Sequence, residues 1–398
     1  MTSFAQPNKE LTICYFGTYR NQYARYKVLK GALESNGVTI KECHAKLWHS
    51  IEDREKVAGG GWANPVFWFR LLVAYLRLII KFIQIGNYDI MLVGYPGQLD
   101  VFLARFLNRF RGNKPLVLDV LMSLYLVALE RDIDKRSAFS VKLLNILENC
   151  SLRVPDLLIH DTPEYVEWLQ NQYGLSPERY YLVPLSADQS VFTKPINRKL
   201  DSNTFNILYY GTFIQNHGID KILKTAQTLN KQDNLHFYMV GDGPEREKAE
   251  AFAKGNKLKN VHFLGWKNQH ELIEIMESMN IALGPFGDTP QSKMTVQNKL
   301  YECMAMGLPL LIGESPATLR QFGYNQVAIL TKRDPVFMAE AIERMIQNPV
   351  AIENMAIKAR QEYLEKYALN VLGKGLREEL EWLRSNITEI RKRNKTID

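Results

Sequence analysis

A chain of 398 residues, 46% hydrophobic and 23% charged, is globular and too long for one ordinary core. Its formal charge of +7 calls for a polyanionic partner, without choosing among nucleic acid, an acidic membrane and a phosphorylated substrate. Zinc-finger spacings and an RNP-like aromatic strand are missing, which sets nucleic acid aside.

Met1 to Glu10 is polar and lacks an apolar h-region, so no signal peptide is expected. From Leu11 onward, short apolar runs alternate with amphipathic ones. Leu11–Phe16, Val38–Cys43, Tyr88–Val93, Leu116–Val120, Asp156–His160 and Tyr180–Val183 predict strands, with helices between most of them. The polar stretch Lys194 to Asn203 reads as a linker. Asn206–Tyr210, His236–Val240, Val261–Phe263, Ile281–Leu283, Pro309–Ile312 and Val327–Leu330 then form a second set of predicted strands. Continuous apolar strands separated by helices imply an α/β fold of two doubly wound parallel sheets. Three helical patterns follow, near Pro335–Gln347, Ala351–Lys366 and Leu372–Ser385, too many to cover one sheet edge, so one is expected to cross back to the first domain. The basic tail Arg391 to Lys395 reads as frayed. The expected domains are 1–192, a linker at 193–204, 205–370, and a C-terminal helix and tail at 371–398. Cys14, Cys43, Cys150 and Cys303 form no C-x-x-C pair and read as reduced core residues in a cytoplasmic protein, not as metal ligands.

Val66 to Ile85 is almost unbroken apolar sequence interrupted by Arg70, Arg77, Lys81 and Gln84. Three central cations at about 2.5–3.5 kcal/mol each argue against a spanning helix. At helical spacing the cations share one stripe and leave a wide apolar face that includes Phe67, Trp68, Phe69 and Tyr75. Two readings stay open: a helix packed on the first sheet with a basic outer stripe, or partial insertion at an acidic membrane surface aided by the basic run Arg105 to Lys114.

Both strand sets begin with a glycine turn. In the first it is Gly17-Thr18-Tyr19-Arg20, and in the second Gly211-Thr212 followed by His217-Gly218, where a helix start offers free N–H groups to phosphate. Neither is a G-x-G-x-x-G, so a dinucleotide fingerprint is not supported. The strand ending at Val240 runs into Gly241-Asp242-Gly243-Pro244. Asn298 to Met306 predicts a short helix with Glu302 on its first turn, stopped by Gly307 and leading through Pro309 into a buried strand. A carboxylate there suits a ribose diol, and the turns converge on one sheet edge.

These motifs, taken in order with Val261 to Trp266 and Gly307-x-Pro309, resemble the donor domain of family 4 glycosyltransferases, two-domain GT-B enzymes. The resemblance covers most of Asn206 to Pro316, and the first half is similar mainly in layout, with Val183 to Asp188 and Phe192 like the family's hinge segment. It implies two Rossmann-like domains facing each other across a cleft. It also implies retaining, hexosyltransferase-type transfer from a UDP- or GDP-linked sugar, without cofactor or metal, to a lipid-linked or polysaccharide acceptor. Glu302 matches the second glutamate of the family's E-x7-E motif, which holds the ribose, whereas Met294 stands where the first belongs. Thr212 and His217 stand where the family usually places basic residues. Diphosphate still needs counter-charge, for which Lys299 is the first candidate, Lys293 the second and His217 the third. Donor-binding residues are then Gly211, Thr212, His217, Gly218, Gly241, Asp242, Gly243, Lys293, Asn298, Lys299 and Glu302. Acceptor-side candidates are Gly17, Thr18, Tyr19, Arg20, Tyr95 and Gln98. Asp119 joins Lys299 and Glu302 as a candidate catalytic residue, while His160 reads first as a core histidine.

The sequence therefore reads as a cytoplasmic glycosyltransferase of polysaccharide biosynthesis, working peripherally at the inner membrane face, with Val66–Ile85 and Arg105–Lys114 as candidate contacts to an acidic membrane surface. A GT-B nucleotide-sugar epimerase and a catalytically silent nucleotide-sugar-binding subunit remain as alternatives.

Overall fold

The computed structural model describes residues 10–47, 65–201, 203–323 and 326–397, so the polar start at 1–9 and Ser202 of the expected linker lie outside the described residues. Two units divide the chain, one of Met1–Pro184 with Leu369–Asp398 and one of Leu185–Ala368. Each holds a six-stranded parallel sheet.

The first unit runs β1 (Thr12–Gly17), α1 (Ala24–Glu34), β2 (Thr39–His44), α2 (Pro65–Gln84), β3 (Ile90–Val93), α3 (Asp100–Arg109) and β4 (Leu116–Asp119). It continues through α4 (Leu124–Glu130), α5 (Ile133–Arg136), α6 (Ala138–Arg153), β5 (Leu157–His160), α7 (Pro163–Tyr173) and β6 (Tyr180–Leu182). The strand order is β2-β1-β3-β4-β5-β6, so the winding reverses between β1 and β3. β3, β4 and β5 are buried along their whole length, which is why they read as continuous apolar runs.

The second unit runs β7 (Phe205–Tyr210), α8 (Ile219–Thr228), β8 (Leu235–Val240), α9 (Arg246–Gly255), β9 (Val261–Gly265), α10 (Gln269–Met276) and β10 (Ile281–Leu283). Then come α11 (Pro290–Met294), α12 (Asn298–Met306), β11 (Leu310–Gly313), α13 (Pro316–Phe322), β12 (Ile329–Thr331), α14 (Pro335–Gln347) and α15 (Pro349–Glu362). Its order is β12-β11-β10-β7-β8-β9, with the reversal between β7 and β10. Each predicted run overlaps an observed strand. Residues of the expected linker lie along this unit, with Ile196 N–H donating to Met306 O at 2.9 Å and Lys199 N–H to Glu277 O at 2.6 Å.

The last helix, α16 (Leu369–Ile397), belongs to the first unit and packs on α1. Close approach is possible because Gly373 lies against the Ala32 carbonyl, where any side chain would collide. The tail is not frayed as its charge suggested. Arg391 pairs with the buried Asp156 carboxylate at 2.8 and 2.9 Å, and Asn394 donates to Asp156 O, so the helix stays ordered through Ile397.

Two further expectations are corrected. In α2 the inward stripe is Phe67, Leu71, Ala74, Leu78 and Phe82, whereas Trp68 and Phe69 of the expected packing face point to solvent, Phe69 being 67% exposed. The helix does pack on the sheet, but its outer surface is apolar as well as basic. Cys150 is exposed near the end of α6, unlike the three other cysteines, because it falls on that helix's outward stripe.

Candidate functional site

In a doubly wound sheet the crevice for a ligand opens at the carboxyl ends of the strands where the winding reverses, because loops there diverge to opposite faces. In the second unit that point lies between Gly211, after β7, and the loop after β10. Gly211 has φ +139°, a conformation that favours glycine, and its N–H donates to Val240 O at 3.0 Å. The space where its side chain would stand is bounded by Lys299 Nζ and the His217 ring, at 3.1 and 3.3 Å from the position of a Cβ.

The turn bearing His217 and Gly218 is fixed against the segment after β10. Phe286 N–H donates to His217 O at 3.0 Å, Ser292 Oγ to Asn216 O at 2.7 Å, and Asn216 Nδ2 to Gln291 Oε1 at 2.9 Å. Arg333, which the sequence reading did not single out, ties the same segment to β11 and β12 through Gly287 O, Ser292 and Glu314 O. Its partners lie far away in sequence, so no local pattern marks it. The Gly241 turn packs below, with Phe213 N–H donating to Asp242 O at 2.9 Å and Arg246 to Gly241 O at 2.7 Å.

Helix α12 supplies the charged groups. Glu302 falls in its second turn, not the first as expected, because the helix begins at Asn298. Its Oε2 accepts from Tyr210 Oη at 2.9 Å. Lys299 is 6% exposed, and Nζ makes no hydrogen bond; it rests over the Tyr209 ring at 4.4 Å. Burial pushes its ammonium down to about 7, with Cys303 and Glu302 opposing the shift. It is therefore a desolvated amine that gives up its proton far more easily than an ordinary lysine. Burial, and next the Lys299 charge, hold His217 well below the ordinary imidazole range, so it is neutral and its Nδ1 lies 2.7 Å from Tyr209 Oη. Lys293 stands apart at the end of α11, exposed and paired with Asp288 at 3.8 Å. Asn298 opens α12, Asp242 is exposed, and Thr212 is half-buried beside Gly211.

The first unit is different at its own reversal, between β1 and β3. Thr18 donates through both N–H and Oγ1 to Asp100 Oδ2, at 2.5 and 2.9 Å, with Gly17 pressed against the same carboxylate. Tyr19 is a core residue stacked on Tyr26, and Gln98 is buried with Nε2 donating to Met122 O at 3.2 Å. Asp119 is bound by Arg25 Nε at 3.0 Å and Nη2 at 2.9 Å, both side chains being 1% exposed. Thr18, Tyr19, Gln98 and Asp119 are thus engaged by the protein itself. Tyr95 is buried, whereas Arg20 is half-buried and lies over the Tyr23 ring. His160 is fully buried, accepting from Asp161 N–H at 2.8 Å, and is a core histidine.

Among the described residues no group of three His, Cys, Asp or Glu comes together that could hold a metal ion. What the second unit offers is a glycine turn with no side chain, one buried amine beside it, and a carboxylate one turn further along the same helix.

This is the fold of GT-B glycosyltransferases: two Rossmann-like units, each with a six-stranded parallel sheet. Residues 204–348, less than half of the chain, match the family described as Glycosyl transferases group 1. The chain is similar to the Streptomyces kanamyceticus alpha-D-kanosaminyltransferase, 27% identical over 170 residues, 42% of this chain and 43% of the relative. It is also similar to the lipopolysaccharide core biosynthesis glycosyltransferase LpsD of Rhizobium meliloti, 22% identical over 39% of this chain and 43% of the relative. These matches span less than half the length of either relative. Among solved structures, sucrose-phosphate synthase from Thermosynechococcus elongatus aligns with a TM-score of 0.71 at 14% identity, covering 95% of this chain and all of that one. Anabaena HepE, in complex with UDP and glucose, aligns with a TM-score of 0.61 at 13% identity, covering 94% and 99%.

Proposed function

We propose that the chain is a retaining glycosyltransferase of family 4 type. It takes a sugar from a UDP- or GDP-linked donor to a lipid-linked or polysaccharide acceptor, with no metal in the reaction. The observation that carries this reading is the unpartnered Nζ of Lys299, buried beside Gly211 where the second sheet reverses its winding. A buried ammonium without a hydrogen-bond acceptor is costly, and a diphosphate at Gly211 would supply the acceptor oxygens.

In this reading Lys299 binds the diphosphate and stabilises the charge that grows on it as the glycosidic bond breaks. Binding raises the lysine's proton affinity again, so the cation is fully formed when the donor is present. Glu302, oriented by Tyr210, receives the ribose hydroxyls. Gly211 leaves Lys299 without a side chain in front of it, Gly218, Gly241 and Gly243 let the turns that shape the donor site pack backbone against backbone, Asn298 and Thr212 add polar contact, and His217 serves as a neutral donor or acceptor. On the acceptor side Arg20 is the proposed contact, and Asp119 is held by Arg25.

The test is incubation of the full chain with a panel of UDP- and GDP-sugars, with and without membrane lipid extract, following nucleotide release. Release that depends on acceptor is the expected result. Interconverted sugar without release would instead mean an epimerase, and binding with no turnover a silent subunit.

A further inference from the structure

Strands β2 to β5 of the first unit advance across the sheet in one direction, so right-handed connections place α2, α3 and α6 side by side on one face, opposite α1 and α16. Each of the three uses one apolar stripe against the sheet and shows a second to solvent. On α2 the outer stripe is Phe69, Leu72, Leu76, Ile80 and Ile83, all more than half exposed. On α3 it is Phe102 and Phe106, continued just past the helix end by Phe110, which is 73% exposed, and on α6 it is Phe139, Leu143 and Ile146, with Phe139 at 77%. Scattered apolar side chains on a surface are ordinary, but three adjacent helices with apolar outer stripes are a binding surface.

Around α2 and α3 the charge is one-sided, whereas Asp132 and Asp134 are exposed just before α6. From Pro65 to Leu118 there are seven Lys and Arg residues, and the acids are Asp89 and Asp100. Neither acid faces outward: Asp100 is buried on Thr18, and Asp89 accepts from Thr12 N–H at 3.0 Å. Arg77 and Lys81 on α2 and Arg109 on α3 are exposed beside the apolar stripes. We propose that this face docks the protein in the plane of an anionic lipid surface, the aromatic and aliphatic stripes entering the acyl boundary and the cations meeting headgroup phosphates. Two observations choose lipid over a second copy of the chain. A two-fold contact would set this basic rim against itself, and the long Arg and Lys stems are suited to reach out of an apolar layer to phosphate. No helix among the described residues is long and apolar enough to cross a membrane, so α2 lies along the surface. This inference stands independently of the reaction proposed for the second unit.

Flotation of the full chain with phosphatidylcholine vesicles, and with phosphatidylcholine–phosphatidylglycerol vesicles, tests it. Binding to the anionic vesicles and its loss at high salt are expected. Phe69→Ser, Phe106→Ser and Phe139→Ser together should lower vesicle affinity about tenfold or more, and Arg77→Gln with Arg109→Gln about tenfold. All five positions are exposed, so circular dichroism melts should match the parent's. Failure of the parent to float, equal flotation on neutral vesicles, or parent-like flotation of both variants would overturn the proposal. So would a concentration-dependent dimer, seen by sedimentation, that the serine variant dissolves without any change in flotation.

Discussion

The two sheets reverse their winding at equivalent places, yet the polar groups gathered there meet opposite fates. In the first unit Asp100 takes both donors of Thr18, and Asp119 takes the Arg25 fork, so both of these carboxylates have their partners inside the protein. In the second, Lys299 is equally buried and its ammonium has no acceptor at all. Equal burial therefore does not mean equal purpose. A paired buried charge holds a loop, whereas an unpaired one marks where a ligand of opposite charge completes the structure.

That contrast can be broken most directly at Asp119. Asp119→Ala should cost about 3–5 kcal/mol in urea unfolding, because Arg25 is left buried and charged, while Arg25→Met with Asp119→Leu should recover most of the loss. A stable Asp119→Ala protein without turnover would instead return Asp119 to the chemistry. Next in size is Lys299→Met, which should weaken donor binding by calorimetry about 10- to 100-fold. The same change should raise the stability of the ligand-free protein by about 1 kcal/mol, since it removes an unpaired buried charge. Glu302→Gln should lower donor affinity about tenfold, and a 2′-deoxyribose donor should show the same loss in the parent but little further loss in the variant.

The pH dependence sharpens the comparison further. Lys299 is lowered to about 7 in the folded protein and titrates near 10.4 when unfolded. Between those values the unfolded chain holds the extra proton, so stability should rise with pH across that window and the rise should vanish in Lys299→Met. Donor affinity should move the other way, falling as pH climbs above about 7, because the diester phosphates stay ionised while the ligand-free lysine loses its proton. An affinity that is flat with pH would place the counter-charge elsewhere. The smallest expected effect is that of Thr18→Val, about 1 kcal/mol of stability with donor affinity unchanged, measured by thermal melts and calorimetry.

Much of the second unit was legible in the sequence because its signals are local. Apolar runs fixed the strands, and Gly307 with Pro309 fixed the end of α12 and the start of β11, since a left-handed stop and a helix-incompatible residue act within a few positions. The side chains of the first unit were not legible in the same way. Thr18, Tyr19, Gln98 and Asp119 look like site residues when only their place at a strand end is known, and their partners Asp100, Glu42, Met122 and Arg25 come from other elements. The outward stripes of α2, α3 and α6 are similar: periodicity gives a helix, but a helix apolar on most of its surface does not announce which stripe meets the sheet.

By itself, then, the sequence determined the order and type of the elements, the two parallel sheets, and the nearness of Lys299 and Glu302 on one helix, because these follow from periodicities of two and 3.6 and from glycine and proline chemistry. Only the tertiary structure decided which buried charges are neutralised from within and which is left waiting. That depends on partners tens of residues away: Tyr209 and Gly211 stand beside Lys299 across the sheet edge and offer it a ring but no oxygen acceptor, while Arg25 reaches Asp119 from α1.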